Sequence, residues 1–266
     1  MVSRIKTLQS TWMFESRETQ DALDVFVRDL TAPKAKALGW KFSKNDDHIM
    51  TQYKALLFGA AGSAGDPEVK SAALKMFSNF ANGDKSAIWP DIKSHVFLIA
   101  LKFGGEKEYN TVVDTYLHPQ NDEEKMVALG SLGAARDIQL VKRTLDFAFS
   151  KDVRIQDFFI GLLALRSHPT GVKEMWDWAK QNWEKISGTL SQALSMLGDV
   201  LKITTSGLAT AEYIQDMETY FKDKRTKGFD QSLAQSLDSL KSKQKWVERD
   251  SSDVHSFLVQ NSYLKQ

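Results

Sequence analysis

Histidine is the residue type here best suited to metal binding or proton transfer, but the histidine spacing forms no metal-binding motif. No two histidines stand four residues apart, so the HExxH pattern that places two zinc ligands on one helix face is absent. The chain has no cysteine, which excludes a thiolate zinc site, an iron–sulfur cluster and a cysteine nucleophile. We therefore expect no metal ion, no cofactor and no catalytic residue in this chain. The five histidines are His48, His95, His118, His168 and His255.

Arg154 is the charged residue that best fits a ligand-binding role. It precedes a very apolar segment, residues 158–165, and a guanidinium there can bind a carboxylate. That carboxylate would belong to Asp152, to Asp157 or to a ligand. Serine and phosphate chemistry are not indicated, because GxSxG is missing and the glycine-rich segment 59–65 lacks a Gly-Lys-Ser/Thr ending. We interpret segment 59–65 as a closely packed helix end.

The segments that must position these residues have helical periodicity. After Asp66, apolar residues recur at intervals of three and four, and the pattern returns in 109–117, 141–149 and 172–186. No stretch of five or more residues shows clean alternation of apolar and polar residues, as a half-buried strand would. The chain has only five prolines, which fits many helices joined by short turns. The sequence predicts an all-α protein.

Similar joints recur at the spacing of a helix–turn–helix repeat. Joints marked by Asp66, Glu106, Asp137 and Thr170 are separated by 40, 31 and 33 residues. We predict a curved α-solenoid of HEAT/armadillo-like antiparallel helix pairs, forming a single domain over residues 1–266. Pro33 lies in an early helical segment, where we expect a kink or a break.

Several polar residues are assigned to the joints. The acidic clusters 46–47 and 121–124 are expected at helix N-termini, where the helix dipole favours negative charge. Asp250 and Asp253 are expected to open the last helix. His118 and His168 each precede a proline at a joint, and we expect their rings to face solvent.

The overall charge gives no sign of a polyanionic partner. Lys and Arg number 35 against 34 Asp and Glu, so the formal net charge is +1. The first residues lack the apolar core of a signal peptide, and no apolar run reaches 18 residues. We expect a soluble, cytoplasmic protein that binds neither nucleic acid nor membranes.

A series of short motifs resembles the C-terminal helical domain of zinc aminopeptidases of the puromycin-sensitive and aminopeptidase N group. The order and spacing of the motifs carry the resemblance, which covers essentially the whole chain, and segment 227–238 resembles the fungal cytosolic members. The motifs lie at 38–40, 47–49, 96–102, 123–125, 153–157, 168–171, 176–178, 182–183, 220–221 and 245–250.

The resemblance implies a domain of a larger enzyme. In this family a separate catalytic domain carries HExxH, a distant glutamate as a further zinc ligand and a GxMEN motif, none of which occurs here. The C-terminal domain of the family is a bowl of HEAT-like helix pairs that caps the catalytic cleft and encloses a peptide chamber. The implied partners are the catalytic domain of the same polypeptide and a peptide substrate, with zinc in that catalytic domain.

The resemblance also suggests which cations contact the peptide. Arg154 matches the arginine of a V-R-x-Q-D stretch, Lys102 matches a lysine after the V-Y motif, and Lys54 stands where relatives often have arginine. Ordinary pairing within the chain is the alternative for each residue. Asp199 stands where some relatives have arginine, so an anion site in this chain would differ from theirs.

Two further expectations concern association. The apolar residues of segment 1–14 are predicted to form an exposed face for self-association or docking; they are Ile5, Leu8, Trp12, Met13 and Phe14. An alternative function is an autonomous α-solenoid adaptor that binds a protein or peptide on its concave face.

Overall fold

The computed structural model describes residues 2–43, 46–191 and 193–265, and only the backbone of Leu194. Within these ranges every regular element is helical, which confirms the all-α prediction. The α-helices are α1 (Val2–Thr11), α2 (Arg17–Leu38), α3 (His48–Ser63), α4 (Pro67–Ala81), α5 (Lys93–Phe103), α6 (Glu106–Leu117), α7 (Asp122–Ser131), α8 (Ile138–Ala148), α9 (Phe158–Leu162), α10 (Pro169–Thr189), α11 (Leu194–Thr205), α12 (Ala211–Phe221) and α13 (Asp230–Gln260). Short 3-10 turns cover Lys85–Ala87, Pro90–Ile92, Leu132–Ala134 and Ala164–Ser167.

Side-chain caps begin many of these helices where the sequence predicts a joint. Asp66 accepts hydrogen bonds from the backbone N–H groups of Glu68 and Val69, at 3.1 and 3.0 Å, with Pro67 in the first position of α4. Asp47, Asn121, Asp137 and Thr210 cap α3, α7, α8 and α12 in the same way. The expected placement of acidic residues at helix N-termini is therefore confirmed.

Helices that lie two apart in the chain are joined by side-chain hydrogen bonds. The hydrogen bonds that join them connect residues 31 to 40 positions apart in the chain. One set of neighbours comprises α3, α5, α7, α9, α11 and α13, and a second includes α8 and α10. Contacts show that three neighbouring pairs of this set run parallel. They are Gly59 with His95 and Gly62 with Ile99 for α3 and α5, Gly130 with Ile160 and Gly133 with Leu165 for α7 and α9, and Gly198 with Ser232 and Ser206 with Lys243 for α11 and α13.

The turns after α7 and α9 touch backbone to backbone, and His168 secures this contact. A Cβ atom on Gly133 would lie 2.5 Å from the backbone nitrogen of Leu165, so only glycine fits. The Nδ1 of His168 accepts from the Gly171 N–H and caps α10, while its Nε2–H donates to the Gly133 carbonyl; both distances are 3.0 Å. His168 is 2% exposed. The expectation of a solvent-facing ring at His168 is wrong, because the cap and the turn need both ring nitrogens.

The segment after α1 joins the two ends of the described chain. The indole N–H of Trp12 donates to the Ser251 hydroxyl of α13 at 2.9 Å, and the Trp12 and Trp246 rings meet edge to face. The rings of Phe14 and Tyr213 lie 5.8 Å apart.

This closure corrects the predicted exposed apolar face. Ile5, Trp12 and Met13 are buried, and Leu8 and Phe14 are partly buried, so the face is covered by this chain's own helices. Met1 lies outside the described residues.

Two helix boundaries also differ from expectation. Asp250 and Asp253 lie within α13, which starts at Asp230, so they do not open the last helix. Helix α2 continues through Pro33 to Leu38 without a break. Burial of α2 residues on both sides of Pro33, including Thr31 and Ala35, holds the helix together at this position.

Gly133→Ala is expected to destabilise the fold by about 1–3 kcal/mol, because the new methyl group would overlap backbone atoms that cannot rotate away. Urea unfolding followed by circular dichroism measures this loss. Gly188→Ala is the control: Gly188 is exposed in α10 with open space around it, and alanine there is expected to add up to about 1 kcal/mol. Equal stability of the two variants would contradict the proposed backbone contact.

Candidate functional site

Lys54 is held at the N-terminal side of α3 by residues of the preceding loop. Its ammonium nitrogen lies 2.7 Å from Asp46 Oδ2 and donates to the Lys41 carbonyl at 3.3 Å. The hydrogen bond from Lys54 and one from the Ser43 backbone N–H lower the pKa of Asp46. The Lys54 side chain is mostly buried, so its charge is used to fix the loop before α3.

Arg154 is paired in a similar local way. Its Nε donates to Asp157 Oδ2 at 2.6 Å, and this hydrogen bond raises the pKa of the guanidinium. The Arg154 side chain is 60% exposed, whereas that of Asp157 is 9% exposed. The guanidinium therefore neutralises an almost buried carboxylate while much of it stays accessible to solvent.

Lys102, the third predicted cation, lies near the end of α5 in a different environment. Its ammonium group donates to the Ser63 carbonyl at the end of α3, at 2.6 Å, and lies 3.6 Å from Asp24 Oδ2. The other oxygen of Asp24 accepts from the Gln9 amide at 2.7 Å. Burial lowers the pKa of Lys102, and the nearby positive charge of Arg136 contributes to the lowering.

Arg136 is a site residue that sequence reasoning missed. It follows the 3-10 turn Leu132–Ala134, and its side chain is exposed, yet desolvation lowers the pKa of Arg136 to about 10. Asp24 and Arg17 act on Arg136 as well as on Lys102, which places these charges in one cluster. The three predicted cations do not form one group, since Lys54 and Arg154 each pair locally.

A second pair of cations was also missed. Lys243 of α13 donates to the Ser206 carbonyl at the end of α11, at 2.8 Å. Burial lowers the pKa of Lys243, and the charge of Arg166, in the turn Ala164–Ser167, adds to that effect. The sequence contained one sign of these residues, their spacing: Lys102, Arg136 and Arg166 are separated by about one predicted repeat length.

Comparison with known proteins identifies the domain to which this arrangement belongs. Residues 1–242 match the ERAP1-like C-terminal domain. The chain belongs to this family. The resemblance to the C-terminal domain of aminopeptidases is thereby confirmed.

The individual relatives that match nearly the whole of this chain are aminopeptidases. The chain is 42% identical over 263 residues to "Aminopeptidase 2, mitochondrial" of Saccharomyces cerevisiae, covering 99% of this chain and 28% of that protein. It is 38% identical to Aminopeptidase 2 of Candida albicans, over 100% of this chain and 29% of that protein. It is 22% identical to Aminopeptidase N of Rattus norvegicus, over 94% of this chain and 27% of that protein. The chain thus spans less than a third of the length of these relatives.

The ERAP1-like domain holds no grouped metal ligands in the part that the structure describes. Within residues 2–43, 46–191 and 193–265, no three His, Asp or Glu side chains come close enough to hold a metal ion. Across the same ranges, no helix combines the length and apolar character that crossing a bilayer requires.

His95 is a partly buried histidine whose titration is perturbed by its surroundings. It lies near the start of α5 against Gly59, where a Cβ atom would be 2.3 Å from its Nδ1. Desolvation, together with the positive charge of Lys6, lowers the pKa of His95 to about 4. His95 is therefore neutral in the folded domain at physiological pH.

The stability of the domain is expected to fall between pH 7 and pH 5 because of His95. Over this range the unfolded chain protonates its histidine while the folded domain does not, so acid favours unfolding by about 2 kcal/mol at pH 5. Urea unfolding at both pH values measures the loss. His95→Gln is expected to remove it, while His255→Gln, an exposed position on α13, is expected to retain it. An unchanged pH dependence in His95→Gln would contradict this assignment.

Proposed function

We propose that this chain is the non-catalytic C-terminal domain of a zinc aminopeptidase, packed over the catalytic domain of the same polypeptide. Its relatives are aminopeptidases of which it covers less than a third, and this is the observation that carries the proposal. The absence of HExxH from the sequence fits a chain whose zinc-binding residues lie in another domain of the same polypeptide. The zinc ion would be bound by the catalytic domain, where it would activate water for peptide hydrolysis.

In this proposal residues 1–266 form one curved solenoid of helix pairs that caps the active-site cleft and bounds the peptide chamber. The contacts between residues one repeat apart support regular stacking of helix pairs. The packing of Trp12 on α13 supports a structure in which the segment after α1 contacts the last described helix. A closed, size-limited chamber gives an exopeptidase access to peptides while folded proteins stay outside.

Lys54, Lys102 and Arg154 are the proposed peptide contacts. Each already has a carboxylate partner, so a peptide carboxylate has to share or replace Asp46, Asp24 or Asp157. The loosest of these pairs is that of Lys102, whose 3.6 Å distance to Asp24 exceeds hydrogen-bond length. Lys102 is therefore the best placed of the three to accept a second anion.

The remaining expectations follow from the same proposal. We place the parent enzyme in the cytoplasm, without nucleic-acid or membrane partners, and cell fractionation against mitochondrial markers tests this placement. The alternative function is an autonomous α-solenoid adaptor. The reading frame upstream of Met1 separates the two: a continuous frame encoding HExxH supports the enzyme, and a frame without it supports the adaptor.

The purified chain is expected to hydrolyse no aminoacyl-arylamide, even with added zinc, because it carries no grouped metal ligands among its described residues. The full polypeptide is expected to hydrolyse the same substrate in a chelator-sensitive manner. Release of the arylamine measures both. Turnover by the chain alone that survives repeated purification would refute the non-catalytic assignment, and an inactive full polypeptide would favour the adaptor.

In the full polypeptide, Lys102→Gln is expected to raise KM for peptides about three- to tenfold while leaving the kinetics of a short aminoacyl-arylamide unchanged. Only the peptide reaches the position that Lys102 would occupy in the chamber. Lys142→Gln is the matched control, since Lys142 forms an exposed interhelical pair with Glu174 on α8 and α10. Equal KM values for Lys102→Gln and the control would remove Lys102 from the peptide site.

A further inference from the structure

Four cations lie at successive helix ends on one side of the domain; we call Lys102, Arg136, Arg166 and Lys243 the cationic edge. Lys102 is the penultimate residue of α5, and Arg136 follows α7 and its 3-10 turn. Arg166 lies in the turn after α9, and Lys243 contacts the residue that follows α11. Helices run parallel within the pairs α3 and α5, α7 and α9, and α11 and α13, so the C-terminal ends of each pair lie together. Arg136 acts on Lys102 and Arg166 acts on Lys243, which brings these ends to one side of the domain.

The cationic edge carries more positive charge than its neighbours neutralise. Among the described residues, Asp24 is the carboxylate that acts on both Lys102 and Arg136, and one of its oxygens already serves Gln9. In the part of the chain that the structure describes, no carboxylate contributes to the environment of Lys243, whose neighbouring charge is Arg166. Burial lowers the pKa of Lys102 and Lys243, whose side chains are partly covered by protein. An anion placed there interacts more strongly than on an open surface.

Hydrogen bonds to helix ends explain the placement of only two of these four cations. Lys102 and Lys243 donate to the carbonyls of Ser63 and Ser206, at the ends of α3 and α11, where a cation is favoured by the helix dipole. Arg136 and Arg166 make no hydrogen bond or ion pair with the described residues, and both side chains are exposed. Their guanidinium donors remain available to a ligand.

We propose that the cationic edge binds acidic side chains of the peptide substrate, at positions distant from the amino terminus that is cleaved. This inference rests on the proposed function and specifies its substrate class. Packed helices lie about 8–10 Å apart, so one small anion reaches at most two of the four cations. A peptide in the polyproline II conformation rises about 3.1 Å per residue with about three residues per turn, so carboxylates three residues apart point the same way and match successive helix ends. The geometry therefore favours a peptide with spaced Asp or Glu residues.

The test uses the full polypeptide and three peptides of equal length with the same first residues. Their distal parts carry Glu, Gln or Lys at every third position, and each is made with a free and an amidated C-terminus. We measure binding by fluorescence anisotropy with labelled peptides and kcat/KM by product release. The Glu peptide is expected to bind about three- to tenfold more tightly than the Gln peptide, with the Lys peptide weakest, and added salt is expected to reduce the difference.

The double variant Arg136→Gln/Arg166→Gln is expected to abolish the preference for Glu, with an unchanged melting temperature and unchanged arylamide hydrolysis. Arg225→Gln is the matched control, because Arg225 is exposed in the loop before α13, near the opposite ends of these helices. Equal binding of the Glu and Gln peptides, or a preference that persists in the double variant, would overturn the proposal. So would a preference that depends only on the free C-terminus. Loss of arylamide hydrolysis in the unaltered polypeptide would instead count against the proposed function, and the anisotropy result would still decide this inference.

Discussion

The fold depends on how closely the turn after α7 approaches the turn after α9. Gly133 lets the two backbones touch, and His168 fixes their separation by bonding the Gly133 carbonyl while capping α10. This one contact positions α7, α9 and α10 relative to each other. It also sets where Arg136 and Arg166 leave the backbone, since each lies within two residues of a turn involved. The positions of these two arginines, and with them the positive charge of this region, thus depend on a close backbone contact that only glycine allows.

Charges in this domain have two distinct roles. Lys54 with Asp46, and Arg154 with Asp157, are short local pairs that fix the loops before α3 and α9. Lys102 and Lys243 instead bridge from one helix to the carbonyls that end its neighbour. Pairs of the first kind leave no net charge, whereas those of the second kind concentrate positive charge beside exposed arginines. This difference explains why the acidic side chains of a peptide are assigned to the second group.

The helical class and many of the joints were predictable from the sequence, because periodicity, caps and proline are local signals. Asp66, Asn121 and Thr210 cap helices as their positions suggest. Burial of His168 was not predictable, since it depends on a carbonyl 35 residues away. The same holds for Trp12, whose partner Ser251 is 239 residues distant.

In the candidate site too, local contacts were predictable from the sequence and long-range contacts were not. Asp157 was one of the partners expected for Arg154, because the two residues are three positions apart. The cluster of Lys102, Arg136 and Asp24 was not, because its members come from three helical units that only the tertiary fold brings together. Repeat-spaced cations are visible in the sequence, but their desolvation is a property of the folded molecule.

The contact between Trp12 and α13 has a consequence for how the chain folds. An open repeat array can fold by adding one unit to the next, because each unit contacts only its neighbours. Here Trp12 requires Ser251, which is synthesised 239 residues later, and the nearby Trp246. Leu8 and Trp12 therefore remain without this cover until those residues of α13 have been synthesised. Such delayed pairing of distant segments slows folding and leaves a nascent chain dependent on protection from aggregation.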